Sequence, residues 1–144
     1  MTKKRVGDAW MPAADYGRTM PAFSVNLLVR DVARSLPFYK EVLGAAVHYA
    51  GADFAALNLQ GVEFMLHADH SYDHHPLYTR LQGEGARGRG AELRVMEIDP
   101  DALEARARAA GADIIQPAAD FPHGWRDVIV AEPDGYVWAI GVAI

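Results

Sequence analysis

The chain has 144 residues, 51% of them hydrophobic and 23% charged, with a formal net charge of -5. That length suits one domain with a core of its own, and the composition does not read as disorder. The acidic, interspersed charge argues against a nucleic-acid binder, the lack of cysteine excludes disulfides and thiolate metal sites, and no apolar run reaches the ~20 residues of a bilayer span. The opening Met1-Thr2-Lys3-Lys4-Arg5 has no apolar stretch behind it and does not read as a secretory signal, so a cytoplasmic location is expected.

Residues 1–22, with Pro12, Gly17 and Pro21, show no clear period and read as an irregular arm lying against the body or a partner subunit. From Phe23 the pattern becomes regular. Val25, Leu27 and Val29 alternate with Ser24, Asn26, Leu28 and Arg30, which predicts a strand. Asp31 offers a cap, and Val32, Leu36, Tyr39, Val42 and Leu43 follow at helical spacing to a stop at Gly44. Pro37 is expected in the first turn of that helix, where its missing N–H does no harm. Short strands at 47–49, 54–59 and 62–66 follow, the last two joined by a Gln60-Gly61 hairpin turn.

Residues 68–90 read as a His- and Gly-rich linker, and the pattern then restarts. A strand over 92–98 leads to Asp99-Pro100, a cap before proline at the first helical position. The helix runs through Leu103 and Ala107 to Gly111, with Glu104 and Arg108 at i, i+4 spacing. Strands at 113–116, 127–131 and 136–142 complete the unit, with a longer loop expected around 120–126. Overlaying Gly61 on Gly135 pairs Phe64 with Trp138 and Leu66 with Ile140. The expectation is an α+β fold of two tandem βαβββ modules, over 23–67 and 91–144, forming a cupped mixed sheet around a cleft.

The run Val29-Arg30-Asp31-Val32-Ala33-Arg34-Ser35-Leu36-Pro37-Phe38-Tyr39-Lys40-Glu41-Val42-Leu43-Gly44 resembles the first strand and helix of the glyoxalase/bleomycin-resistance/extradiol-dioxygenase group, the vicinal-oxygen-chelate superfamily. Ala110-Gly111-Ala112 and Glu132-Pro133-Asp134-Gly135-Tyr136-Val137-Trp138 resemble landmarks of its second half. The resemblance implies paired modules, a homodimer, and a cleft holding a metal or a small-molecule ligand. Carried over position by position, the family's metal ligands fall on Ser24, Met65, Glu92 and Ala139. Of these only Glu92 suits a hard divalent cation, since a serine hydroxyl and a thioether are poor donors and alanine has none. The usual metal site is therefore expected to be lost, and no cofactor is expected.

The same alternation predicts a ligand cleft with Asn26, Leu28, Glu63, Met65, His67, Glu92, Arg94, Met96 and Val137 on one side, an apolar cup with a few polar groups. Arg94 would hold an anionic or carbonyl ligand and Glu92 or His67 would act as base, unless Glu92 and Arg94 simply pair with each other. Residues 67–75 hold four histidines and two aspartates. They offer a relocated metal site of His67, His70 and Glu92, with His74 or His75 near, or else a solvated polar loop. The glycine-rich stretch 83–90 lacks Gly-Lys-Ser/Thr and precedes a strand, so it reads as a connector. Trp125 would stack on a flat ligand or pack at a dimer contact. Three functions remain open: a metal-free binding protein of the bleomycin-resistance type, a glyoxalase-like metal-dependent lyase or isomerase using Glu92 and the loop histidines, and a protein–protein module whose vestigial cleft is collapsed.

Overall fold

The computed structural model describes all of residues 1–144. The alternating segments become strands: β1 Asn26–Val29, β2 Ala46–Ala50, β3 Phe54–Leu59 and β4 Val62–Ala68, then β5 Glu92–Met96, β6 Asp113–Asp120, β7 Trp125–Ala131 and β8 Val137–Ala143. They form two four-stranded mixed sheets of identical connectivity, ordered β1-β4-β3-β2 and β5-β8-β7-β6. In each, the first strand lies parallel to the last and the others run antiparallel. The duplication read from the glycine overlay is thus present in the ladders, and the fold is α+β. The chain divides into two compact units, Met1–Arg34 with Ala45–Gly83 and Ser35–Gly44 with Glu84–Ile144.

Local chemistry accounts for the turns. Gln60 and Gly61 both take positive φ (52° and 80°), the requirement of the tight mirror-image turn that suits strand twist. The helix α3, Pro100–Ala109, starts as its sequence asks: the Asp99 carboxylate accepts from the Asp101 and Ala102 amides at 3.0 and 3.4 Å. Its Leu103 and Ala107 are fully buried.

Several expectations need correction. The arm is not wholly irregular, because Ala13–Arg18 forms a short helix, α1, whose first turn closes on the Pro12 carbonyl. The first strand starts at Asn26 and leaves Phe23 82% exposed. Pro37 does not sit in a first turn; it ends the α-helical segment α2, Val32–Pro37. The chain then widens into a π-type turn, Phe38–Val42, with the Leu43 amide bonded to the Phe38 carbonyl at 3.1 Å. That register change accommodates the amide hydrogen proline lacks. The strand expected over 113–116 runs on to Asp120, bulging on either side of Gln116 where Pro117 interrupts the ladder. The loop expected over 120–126 shrinks to 121–124 accordingly. Residues 68–90 contain two 3-10 helices, Asp69–Tyr72 and Pro76–Leu81.

In the second unit, Tyr39 packs edge-on against Trp138 (centroids 5.8 Å apart) over Leu103, Val128, Val130 and Ile140. Beside this core Glu132 is only 3% exposed. Its Oε1 accepts from the Asp134 amide at 2.5 Å, while Oε2 has no hydrogen-bond partner. Burial, and behind it the Asp134 carboxylate, raises its pKa to about 7.

Two tests follow from this packing. A Cβ on Gly141 would lie 2.2 Å from the Arg126 carbonyl oxygen, whereas one on Gly85 would meet nothing within 4 Å. Gly141→Ala is expected to cost about 2 kcal/mol or more and Gly85→Ala to be neutral or slightly stabilising, read from denaturant midpoints. The second concerns pH. With its pKa raised from 4.5 to about 7, Glu132 contributes stability that is complete below pH 4.5 and lost as pH rises through 7. Wild type minus Glu132→Gln should isolate a decline on the order of 3 kcal/mol between pH 4 and 8; a flat difference contradicts the assignment.

Candidate functional site

Register decides which side chains share a face. In the first sheet, Asn26 opposes Met65, Leu28 opposes His67, Met65 opposes Ala56 and His67 opposes Phe54. Asn26, Met65 and His67, expected together from sequence, therefore do lie side by side. Over this face lies the arm. Trp10 stacks on Tyr49 (5.2 Å between centroids, 5° between planes), and Tyr16 meets Phe54 edge-on at 5.2 Å. Between arm and sheet is a pocket of about 420 Å³, walled by Trp10, Met11, Tyr16, Met20, Phe54 and Met65 with His67 among them. Such a mostly apolar concavity with a few polar groups suits a small organic molecule.

The arm is held by carboxylates. Asp53 accepts from the backbone amides of Lys4 and Arg5 at 2.6 and 3.3 Å, and bonds His70 Nε2 at 2.8 Å. Burial opposes ionisation of Asp53, but the bonds from Lys4, His70 and Arg5 outweigh it and hold its pKa below the ordinary value. Further along, Asp73 accepts from the amide and hydroxyl of Thr2. Tyr16 is 9% exposed and its hydroxyl has no hydrogen-bond partner; burial, then the Glu63 charge, pushes it up to about 12.

His67 is fixed by a short relay. The Asn26 amide nitrogen donates to the Tyr72 hydroxyl oxygen at 2.8 Å, which turns its carbonyl oxygen toward His67 Nδ1 at 2.7 Å. Since a carbonyl oxygen only accepts, Nδ1 carries the imidazole proton. Burial lowers the His67 pKa, so the ring is held neutral.

The remaining expected residues do not line this pocket, although Glu63 lies on the same β4 face as Met65 and His67. Glu63 accepts from Asn58 at 3.0 Å and bonds His48 Nδ1 at 2.9 Å. In the second unit Arg94 Nη1 reaches Glu92 at 2.6 Å and Nη2 reaches Asp127 at 2.9 Å, with His123 Nε2 at 3.3 Å. The guanidinium carbon sits 4.6 Å from the centre of the Trp125 ring, a cation–π contact that occupies one ring face. Glu92 and Arg94 thus pair with each other, and the nearly buried Asp127 takes the other arm of the fork. Met96 opposes Gly141 in the same sheet.

At the family's metal positions the donors do not fit a hard cation. Ser24 is exposed ahead of β1, Met65 presents a thioether to the pocket, Glu92 is engaged by Arg94, and Ala139 is buried with nothing to donate. The loop histidines are committed singly. His70 bonds Asp53, His75 Nδ1 accepts from the Leu77 amide at 3.0 Å, and His74 is exposed beside Asp73. No group of three or more His, Asp or Glu side chains is arranged around a common point.

Sequence reasoning missed the arm's share of the wall, Trp10 and Tyr16, together with Tyr49, Phe54 and the anchor Asp53. The available signal was two aromatic rings in a stretch otherwise reading as a tail. It also missed Asp127 and His123 as partners of Arg94.

Comparison with known proteins agrees with the ladders. Residues 22–140 match the model of the Glyoxalase/Bleomycin resistance protein/Dioxygenase superfamily. The chain is 29% identical over 132 residues to the uncharacterized protein Mb0911c of Mycobacterium bovis, covering 84% of this chain and 82% of that protein. Among solved structures, a glyoxalase/bleomycin resistance protein/dioxygenase family enzyme from Burkholderia phytofirmans PsJN superposes with a TM-score of 0.69 at 22% identity, covering 84% of this chain and 97% of that one. TioX from Micromonospora sp. ML1 gives 0.62 at 25% identity, with coverage of 84% and 97%. With the duplicated ladder, the helix-opening run and the family match in agreement, the chain belongs to the glyoxalase/bleomycin resistance protein/dioxygenase superfamily.

Proposed function

We propose that the protein binds a small, largely apolar organic ligand in the arm-covered pocket of its first unit, without a metal ion. The observation that carries this is the ring-walled pocket itself: about 420 Å³ of space among aromatic and thioether side chains, with His67 among them. Aromatic walls recognise flat molecules through offset and edge-on contacts, and methionines adapt to the outline. The unsuitable donors at the family's metal positions support the metal-free part of the reading. A lyase or isomerase would need Glu92 free to act as base, and that carboxylate is engaged by Arg94 at 2.6 Å.

The fluorescent probe 1-anilinonaphthalene-8-sulfonate is expected to bind with one site per chain and with the same affinity before and after treatment with a chelator. Trp10→Ala and Phe54→Ala should each weaken it about tenfold, the scale of one lost aromatic contact with its buried area. Loss of binding on metal removal, or wild-type affinity in both variants, would sink the proposal.

A further inference from the structure

The His67 wall of the pocket has a direction, and it selects among ligands. The Tyr72 hydroxyl holds the Asn26 amide nitrogen, the Asn26 carbonyl oxygen holds His67 Nδ1–H, and the proton on Nδ1 leaves Nε2 with a lone pair. Nε2 makes no hydrogen bond within the chain; the ring's other neighbours are Phe54 and Tyr72, at 5.3 Å between centroids in each case. His67 therefore lines the pocket as a hydrogen-bond acceptor among side chains that are mostly apolar. An acceptor held in such a place is costly when left unmatched, and more costly still once an apolar ligand has displaced its water.

Resting on the binding function proposed above, we infer that the pocket takes a flat aromatic molecule carrying an uncharged O–H or N–H donor, which it gives to His67 Nε2. Its ring is held by Phe54 and Met65 from the sheet and by Trp10 and Tyr16 from the arm. The same geometry disfavours the matching ether, whose oxygen would face the Nε2 lone pair. It disfavours a carboxylate or sulfonate at the buried end for the same reason. Lys3, Arg5 and Asp53 also line the pocket and can meet charged substituents elsewhere on the ligand.

Three probes of nearly one shape test this: 2-naphthol, 2-methoxynaphthalene and naphthalene, titrated against the full chain by calorimetry or by tryptophan fluorescence. The expected result is that 2-naphthol binds about tenfold or more tightly than either of the others. His67→Phe, which keeps a ring but removes the acceptor, should bring the three within about twofold of one another. A readout without any variant is nitrogen NMR of histidine-labelled protein. It should show the proton of His67 on Nδ1 in the free protein and a shift of Nε2 alone on adding 2-naphthol. Equal binding of the three probes to the wild-type chain, or a proton found on Nε2, overturns the donor requirement while leaving the binding pocket standing. No binding of any of the three overturns both.

Discussion

The Asp53 carboxylate is the point on which the first unit's pocket depends. It ends the β2–β3 connection and gathers the Lys4 and Arg5 amides and the His70 imidazole, groups from two separate stretches of chain. Ordering an arm costs conformational entropy at every residue, roughly 1–2 kcal/mol each for the backbone alone. Ring packing of Trp10 and Tyr16 offsets part of that cost, but apolar contact by itself does not specify one position. Bonds from backbone amides to a carboxylate are directional and among the stronger kind, so they set where the arm crosses the sheet. Pocket walls, the burial of Tyr16 and the surroundings of His67 all follow from that placement.

Duplication makes the two units comparable residue by residue, and the comparison shows how differently one scaffold is used. In the first sheet Asn26 pairs with Met65, and His67 pairs with Phe54. The corresponding second-sheet positions pair Arg94 with Ala139, and Gly141 with Asp127. An amide, an imidazole and a phenyl ring in one unit thus stand where a guanidinium, a glycine and a carboxylate stand in the other. The differences are interdependent. Asp127, with 3% of its side chain exposed, requires a cation and finds Arg94, because an unpaired carboxylate at that depth would be costly. A glycine must then oppose it, since a Cβ at Gly141 would lie 2.7 Å from the Asp127 Cβ. That set is closed on itself, whereas the first unit's set keeps one acceptor unsatisfied.

Legibility in the sequence followed the range of the interactions. Gln60-Gly61, Asp99-Pro100 and the Glu104–Arg108 pair are short-range chemistry, and each appears where its residues predict. The repeat was readable because both copies keep their turn glycines and alternation. Parity alone places Asn26, Met65 and His67 on one strand face, and Asn26 pairs with Met65 in the ladder. What stayed hidden depends on partners far along the chain. The Lys4–Asp53 bond spans 49 positions and Arg94–Asp127 spans 33, and no local pattern encodes either. Pro37 misled for a related reason: helix propensity places it early, while the chain instead widens its turn and keeps the buried Phe38, Tyr39 and Val42 in the core. The histidine cluster misled through composition, since neighbours in sequence end up with separate partners.

The divergence of the two units bears on what kind of recognition the proposed binding function would involve. A hard metal ion needs several anionic or imidazole donors converging on one point, and it polarises whatever binds opposite it. In the first unit's pocket the neutral acceptor His67 is hydrogen-bonded through Asn26 to Tyr72. An acceptor of that kind polarises little, but it discriminates well, because a ligand lacking the matching donor leaves it buried and unsatisfied. Tyr72 belongs to the 3-10 helix after β4, and two residues earlier the same helix supplies His70 to Asp53. One short element thus sets the His67 proton and anchors the arm. On the proposed binding function, disturbing the Asp53–His70 bond would loosen the pocket's cover and the orientation of His67 together, so affinity and selectivity would be coupled through a single turn of chain.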